Sequence, residues 1–224
     1  MIAKLLLQTF IWFGVMGALL FLSAGTFAWP AAWVYLVVMV GPSLTMGVAL
    51  ARRDPGLMNE RLSPPIQKSQ TPADKVLLSI LLIGIFGWLS FMGFDFRFGW
   101  SAVPFWAQAV GALVLLVGIW ICYLTMLENS FAAPVVKIQD ERGQRVITTG
   151  PYSYVRHPMY AGAILFLAGT ALLLGSWWGL VSVLVFIVLL AIRTFIEEKT
   201  LRTGLRGYND YATRVRYRLI PMVW

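Results

Sequence analysis

The side chains best suited to chemistry lie in two short segments of the C-terminal half of the sequence. The first reads GPYSYVRHPMY and contains His157, the only histidine, at the point where charged residues give way to an apolar run. The second reads RTFIEEK and places Arg193 ahead of the adjacent carboxylates Glu197 and Glu198. A guanidinium can hold a carboxylate through two parallel hydrogen bonds, and imidazole and carboxylate groups can bind polar groups of a ligand. The two segments therefore predict a polar binding site, provided that the fold brings them together.

The same inventory argues against several other classes of site. One histidine and the distant Cys122 provide no cluster at metal-ligand spacing, so we predict no metal site. No Gly-x-Gly occurs, which argues against a dinucleotide-binding loop, and no nucleophile elbow accompanies the histidine. A single cysteine cannot form an intramolecular disulfide.

The composition places these segments in a membrane protein. Of the 224 residues, 59% are hydrophobic and only 12% are charged, about half the charged fraction of a soluble domain. Most of the apolar runs come near the roughly 20 residues that cross a hydrocarbon core. We therefore predict an all-α fold, a polytopic transmembrane bundle of about six helices. The runs are 5–27, 31–51, 76–94, 104–127, 159–175 and 177–195.

The distribution of the basic residues predicts the orientation. With six crossings, every lysine and arginine except Arg97 falls at a terminus or in a connection on the same side of the membrane. The positive-inside rule makes that side cytoplasmic, together with both termini and the segments 52–75, 128–158 and 196–224. Membrane insertion explains the net charge of +8, so we predict no nucleic-acid partner. The last segment alternates apolar residues with arginines, which predicts an amphipathic helix on anionic lipid.

A tight helical hairpin should bring the two chemical segments together. The fifth and sixth apolar runs are separated only by GSWWG, so the start of one helix and the end of the next lie at the same cytoplasmic level. Two less specific interpretations remain: Arg156 and His157 as interfacial anchors, and an ion pair between Arg193 and Glu197, which are four residues apart on one helical face. The residues expected to converge are His157, Tyr160, Arg193, Glu197 and Glu198.

The region from Asn129 to Pro221 resembles the membrane-embedded isoprenylcysteine carboxyl methyltransferases and their phospholipid-methyltransferase relatives. The resemblance is carried by GPYSYVRHPMY, by RTFIEEKTL with its Arg-x-x-x-Glu-Glu spacing, and by GYNDYATRVRYRLIP. It implies methyl transfer from S-adenosylmethionine at a cytoplasmic site on the C-terminal hairpin. Together with the apolar runs, it predicts a division into four N-terminal membrane helices (1–127) and a methyltransferase region (128–224).

The resemblance further implies roles for individual residues. Arg193 would face the methyl acceptor and act as the catalytic acceptor-binding residue. The glutamine that precedes the cofactor segment in the prenylcysteine enzymes aligns with Lys137, and Gln139 follows two residues later. The residues implied in cofactor binding are Gln144, Arg145, Val146, Ile147, Tyr152, His157, Pro158, Met159, Tyr160, Glu197 and Glu198.

The acceptor is expected to be a lipidic or lipidated small substrate that reaches the site from the surrounding membrane lipids. A carboxylate acceptor, with a pKa of about 3.5, is already ionised at neutral pH and needs a cationic holder such as Arg193. This favours carboxyl O-methylation of an isoprenylcysteine-like substrate. An amine acceptor would need a base, for which Glu198 or Tyr211 is available, and would make the protein a phospholipid N-methyltransferase. A non-catalytic membrane scaffold or small-solute facilitator is the third interpretation.

Overall fold

The computed structural model describes residues 1–224 and is entirely helical, without strands. Five helices (α1, α2, α4, α5 and α7) are long and apolar enough to cross a membrane, and the apolar α6 is shorter, with 16 residues. The predicted polytopic helical bundle is confirmed. The helices are α1 (Ile2–Ala24), α2 (Pro30–Arg53), α3 (Pro55–Arg61), α4 (Pro72–Phe98), α5 (Phe105–Glu128), α6 (Pro158–Leu173), α7 (Trp177–Gly204) and α8 (Tyr208–Arg214).

Local capping signals define where several helices begin. The Asp54 side chain accepts a hydrogen bond from the Leu57 amide at 2.9 Å. Proline follows the cap directly, as it does at the start of α4. The cap and the proline together define the start of α3, the short helix in the connection between the second and third apolar runs. Side-chain caps of this kind satisfy amides that have no partner within the helix.

The hairpin of α6 and α7 positions the two chemical segments. The chain reverses at Gly175, where φ is +80°, a left-handed conformation that favours glycine. Helix α7 has 28 residues and continues well beyond the apolar run 177–195. Its last turns therefore carry Arg193, Glu197 and Glu198 to the end of the bundle at which α6 begins.

The C-terminal segment differs from the prediction. Helix α7 ends at Gly204 and the chain turns at Gly207, where φ is +84°. Only the seven-residue α8 follows, and it buries Tyr208 and Tyr211 against the protein. The prediction of an amphipathic helix on the lipid surface was wrong, because the left-handed turn redirects the apolar face onto the loops above the hairpin.

The interior of the bundle joins the N-terminal helices to the hairpin. The largest buried apolar cluster combines side chains from α1, α2, α4, α6 and α7, with Leu115 from α5. Helices α5 and α6 approach each other most closely through glycines at their contact, such as Gly118 and Gly162. Small residues allow this close packing between membrane helices. The rigid body that results holds the beginning of α6 in a fixed position.

Candidate active site

A cavity of about 410 Å³ lies at the end of the bundle where α6 begins. One end of the cavity is polar and is formed by Tyr152, His157, Tyr160, Glu197 and Tyr208. The other end extends between the helices and is apolar. Its walls there come from α4, α6 and α7, and include Leu78, Leu82, Ile85, Phe166, Phe186 and Leu190.

The polar end is organised around Glu197. The Tyr160 hydroxyl donates a hydrogen bond to Glu197 Oε2 at 2.5 Å, and His157 Nδ1 lies 3.5 Å from the same oxygen. The His157 and Tyr160 rings are stacked, with centroids 5.5 Å apart. The guanidinium of Arg193 lies over the Tyr160 ring, 5.7 Å from its centroid. The predicted convergence of the two segments is confirmed.

His157 is buried between two carboxylates. Its Nε2 lies 3.4 Å from Glu198 Oε1 but makes no aligned hydrogen bond there. Burial alone would lower the pKa of His157, but the bonds and charges of Glu197 and Glu198 outweigh it, so the pKa is raised above its ordinary value of 6.5. The folded protein therefore stabilises the imidazolium form relative to that of a free histidine.

Arg193 forms its ion pair with Asp74 of α4, not with Glu197. Its Nε donates to Asp74 Oδ1 at 2.9 Å, and its Nη2 donates to the Pro134 carbonyl at 2.6 Å. The other oxygen of Asp74 accepts from the Val136 amide at 2.8 Å, and the Asp74 side chain is fully buried. The alternative interpretation, an ion pair with Glu197 four residues away, is therefore wrong. The contact with Asp74 across the bundle fixes Arg193 in the cavity wall.

Glu198 lies behind the cavity and does not line it. Its Oε1 accepts a hydrogen bond from Arg156 Nε at 2.6 Å, and its Oε2 lies 3.3 Å from Arg218 Nε. Arg156 also donates to the carbonyls of Val215 and Arg216 at 2.7 and 2.9 Å. The sequence-based assignment of Glu198 as a ligand contact does not agree with this placement, since its carboxylate braces the C-terminal tail.

The predicted cofactor segment otherwise lies along the cavity. Tyr152 is held at both ends, because Asn129 Nδ2 donates to its hydroxyl at 2.8 Å and the Tyr211 hydroxyl donates to its carbonyl at 2.7 Å. Pro158 does not line the cavity and begins α6. The lining residues of the predicted set are Gln144, Arg145, Val146, Ile147, Tyr152, His157, Met159, Tyr160, Arg193 and Glu197.

The loop before this segment contains the position that aligns with the family glutamine. Lys137 lines the cavity and forms an ion pair with Glu60 at 2.8 Å. Gln139 is buried away from the cavity, where its Nε2 donates to the Phe131 carbonyl at 2.8 Å. Gln139 therefore stabilises the loop, and Lys137 is the member of the pair that reaches the cavity.

Several residues of the site were not singled out from the sequence. Asp74 and Arg61 come from the N-terminal half, where no motif marks them. The sequence predicts Tyr211 only as a candidate base for an amine acceptor and does not predict Tyr208 at the site. The two tyrosines are three residues apart in GYNDY, so one face of a short helix carries both, and that spacing was the available signal.

One polar group of the cavity wall has no partner within the protein. The Tyr208 hydroxyl is buried, lines the cavity and makes no hydrogen bond to the chain. Buried polar groups are normally satisfied, so this hydroxyl is free to bond to a water molecule or a ligand. Together with the carboxylate of Glu197, it can bind polar groups of a ligand.

Comparison with known proteins finds one family model that matches the segment containing most of this site. Residues 106–206 match the family model described as phospholipid methyltransferase, a family that includes the isoprenylcysteine carboxyl methyltransferases. The matched segment begins at the second residue of α5 and ends just beyond α7, so it contains most of the polar end of the cavity. No curated protein shows a significant match to the chain.

The family match covers just under half of the chain. Residues 106–206 are similar to the phospholipid methyltransferases, a similarity that points to a membrane methyltransferase. With five helices long and apolar enough to cross a membrane, the protein is an integral membrane protein. The resemblance found in the sequence is thereby confirmed.

Proposed function

We propose that the protein transfers a methyl group from S-adenosylmethionine to a lipidic or lipidated acceptor at the cytoplasmic membrane interface. The observation that carries this proposal is the two-ended cavity. Its polar end is built on Glu197, His157 and Tyr160 inside the family segment, and its apolar end continues between α4, α6 and α7. A cavity with one polar end and one apolar end can bind a charged donor and a lipidic acceptor side by side.

The polar residues would bind and align the donor. When bound, S-adenosylmethionine supplies a methyl group on a positively charged sulfur that is already activated for displacement. Glu197 offers an oxygen to hydroxyl or ammonium groups, and Tyr208 offers a free hydroxyl. The chain's remaining task is to hold the two reactants in line and to exclude water. Tyr208 and Tyr211 of α8, which line the cavity, would contribute to that exclusion.

The charges around the cavity favour a carboxylate acceptor, as on an isoprenylcysteine-like substrate. A carboxylate is ionised at neutral pH and needs no base. Arg193 lines the cavity and, after its bonds to Asp74 and Pro134, its Nη1 donates to no protein atom. That nitrogen is available to hold an acceptor oxygen.

A phospholipid amine is the second candidate, because the matching family model carries the phospholipid methyltransferase description. An amine is protonated at neutral pH and requires a base. Glu198 is bound to Arg156, and the Tyr211 hydroxyl already donates to Tyr152. Burial raises the pKa of Tyr211, so its phenolate is not populated at neutral pH. The two candidate bases are therefore poorly prepared for this chemistry.

Two measurements test the proposal. Calorimetry on the detergent-purified protein should show binding of S-adenosylmethionine, and no binding would leave the scaffold or facilitator interpretation. Transfer of a labelled methyl group to membrane extracts should then give a product whose label is released by base. A label that resists base would identify N-methylation, since esters hydrolyse and N-methyl groups persist.

Glu197→Gln tests the polar end directly. The substitution removes the negative charge of the carboxylate that lines the cavity and accepts the hydrogen bond from the Tyr160 hydroxyl. A charge-assisted hydrogen bond is worth about 1.5–3 kcal/mol, so we expect affinity for S-adenosylmethionine to fall roughly 10- to 100-fold with a smaller change in thermal stability. Glu141→Gln, at an exposed carboxylate outside the cavity, is the matched control. Unchanged affinity in Glu197→Gln would remove Glu197 from the donor site.

A further inference from the structure

Arg61, at the end of α3, is a cavity-lining cation without an acidic partner. Three other cations in the wall are each neutralised: Lys137 by Glu60 at 2.8 Å, Arg156 by Glu198 at 2.6 Å and Arg193 by Asp74 at 2.9 Å. Arg145 also lines the cavity but is exposed to solvent. The partly buried Arg61 forms no ion pair with any carboxylate of the chain.

The Arg61 side chain is held in place by neutral contacts. Its Nη1 donates to the Ala132 carbonyl at 2.9 Å and lies 3.9 Å from the Met159 sulfur. Its Nε and Nη2 donate to no protein atom. Helix α3 is anchored beneath it, because Leu57 and Met58 are buried in an apolar cluster with residues of α1 and α2. The guanidinium is therefore fixed, with two nitrogens free to donate to a ligand.

An unpaired guanidinium that is partly removed from water is costly. Burial lowers the pKa of Arg61 below its ordinary value, although a guanidinium remains charged at neutral pH. A charge in this position normally pairs with an opposite charge. Since the chain supplies none, the partner is expected to come with a ligand.

We propose that Arg61 binds the carboxylate of the methyl donor. The inference rests on the proposed function, because it takes S-adenosylmethionine as the occupant of the polar end. Arg61 contacts Met159, and Tyr152 and Asn129 also line the cavity with it. It therefore lies beside the segment implied in donor binding, whereas Arg193 lies on the α4 side. Glu197 meets positive or hydroxyl groups of the donor, and Arg61 meets its one anionic group. Arg61 is outside the matched residues 106–206, so the family match assigns it no role.

The experiment compares two ligands on two proteins. S-adenosylmethionine and decarboxylated S-adenosylmethionine differ only in the carboxylate. Their dissociation constants are measured by calorimetry on the full-length wild type and on Arg61→Met, a change that removes the charge and keeps much of the length. Arg52→Met, at an exposed arginine near the end of α2 outside the cavity, is the matched control.

We expect Arg61→Met to lose affinity for S-adenosylmethionine by about 10- to 100-fold, the range for one charge-assisted bond. Its affinity for the decarboxylated ligand should stay within about twofold of wild type. Arg61→Lys should lose less affinity for S-adenosylmethionine, because lysine keeps the positive charge but lacks the planar guanidinium that can form two parallel hydrogen bonds. Arg52→Met should bind both ligands as the wild type does.

The alternative outcomes are distinct. Equal losses for both ligands in Arg61→Met would make Arg61 a structural support of the Ala132 loop and overturn the proposal. Unchanged affinity for both ligands would overturn it as well, even if the KM for an acceptor rose. Failure of the wild type to bind S-adenosylmethionine would instead overturn the proposed function itself.

Discussion

Arg193 forms an ion pair with Asp74 and also has one nitrogen that donates to no protein atom. Substitution by lysine distinguishes the structural role of the ion pair from the proposed role in acceptor binding. Arg193→Lys keeps the charge beside Asp74 but cannot also reach the Pro134 carbonyl and an acceptor in the fixed planar geometry. If Arg193 holds the acceptor, methyl transfer should fall about 10- to 100-fold while donor binding persists. Both are measured in parallel, by labelled-methyl transfer and by calorimetry.

Arg202→Lys is the matched control, because Arg202 lies on the same helix with an exposed side chain 3.9 Å from Glu198. It should behave almost as the wild type. Activity of Arg193→Lys within twofold of the wild type would remove Arg193 from the acceptor site. Loss of donor binding together with activity would assign Arg193 to the donor side, and the carboxylate acceptor would lose its main support.

His157 should make stability depend on pH in a defined direction. The pKa of His157 is raised in the folded protein. The contribution of His157 to the free energy of unfolding is therefore fully present below the pKa of the unfolded chain, about 6.5, and is lost as the pH rises through the pKa of the folded protein. The stability advantage of the wild type over His157→Gln should therefore shrink between slightly acidic and alkaline pH. Thermal unfolding in detergent measures the difference. An NMR titration of this only histidine gives the pKa directly, and a midpoint at or below about 6.5 would contradict the expectation.

At the residue scale, the sequence predicted the contacts that depend on helical spacing and missed those that cross the fold. His157, Tyr160 and Glu197 could be brought together because a short turn fixes the relative level of two consecutive helices. The partner of Arg193 could not be found in this way. Asp74 is 119 positions away, and its pairing depends on how α4 packs against α7, which apolar periodicity does not specify.

At the scale of elements, the contact between α5 and α6 depends on glycine. A Cβ on Gly118 would lie 2.6 Å from the Phe166 amide nitrogen and 2.7 Å from the Gly162 carbonyl oxygen, both backbone atoms that cannot swing aside. We expect Gly118→Ala to lower the free energy of unfolding by about 1–3 kcal/mol. It should also weaken donor binding, because displacing α6 moves His157 and Tyr160. Thermal unfolding and calorimetry in detergent measure the two effects.

Gly87→Ala in α4 provides the control, since nothing lies within 4 Å of its Cβ position. Alanine is the better helix former, so this variant should be unchanged or slightly more stable. Equal stability of the two variants would show that the close approach of α5 and α6 is not required.

Apolar runs predicted which helices exist more accurately than where they end. The apolar run 76–94 lies within the longer helix α4 (Pro72–Phe98), and the run 177–195 lies within the longer helix α7 (Trp177–Gly204). Polar residues extend both helices because caps and tertiary contacts stabilise the added turns. The last segment was predicted wrongly because a hydrophobic pattern does not distinguish a lipid surface from a protein surface.

At the scale of the whole molecule, the two halves of the chain build the site together. The family segment supplies most of the polar end, whereas Arg61, Asp74 and the apolar wall of α4 come from residues before 106. The N-terminal helices therefore do more than anchor the protein. Their contribution to the cavity wall lies outside the segment that matches the family model.

The orientation of the molecule in the membrane decides whether the site can meet its donor. S-adenosylmethionine is charged and water-soluble, so the polar end must face the cytoplasm, as the basic residues predict. Cysteine labelling in a Cys122→Ala background provides the test. A membrane-impermeant maleimide applied from outside should fail to label exposed cysteines placed at Ser69 and Ser153, which lie in the 52–75 and 128–158 segments. It should label cysteines placed at Ala28 and Ala102, at the opposite end of the bundle. Labelling from outside at Ser153 would place the polar end on the wrong side for a cytoplasmic donor and would contradict both the predicted orientation and the proposed reaction.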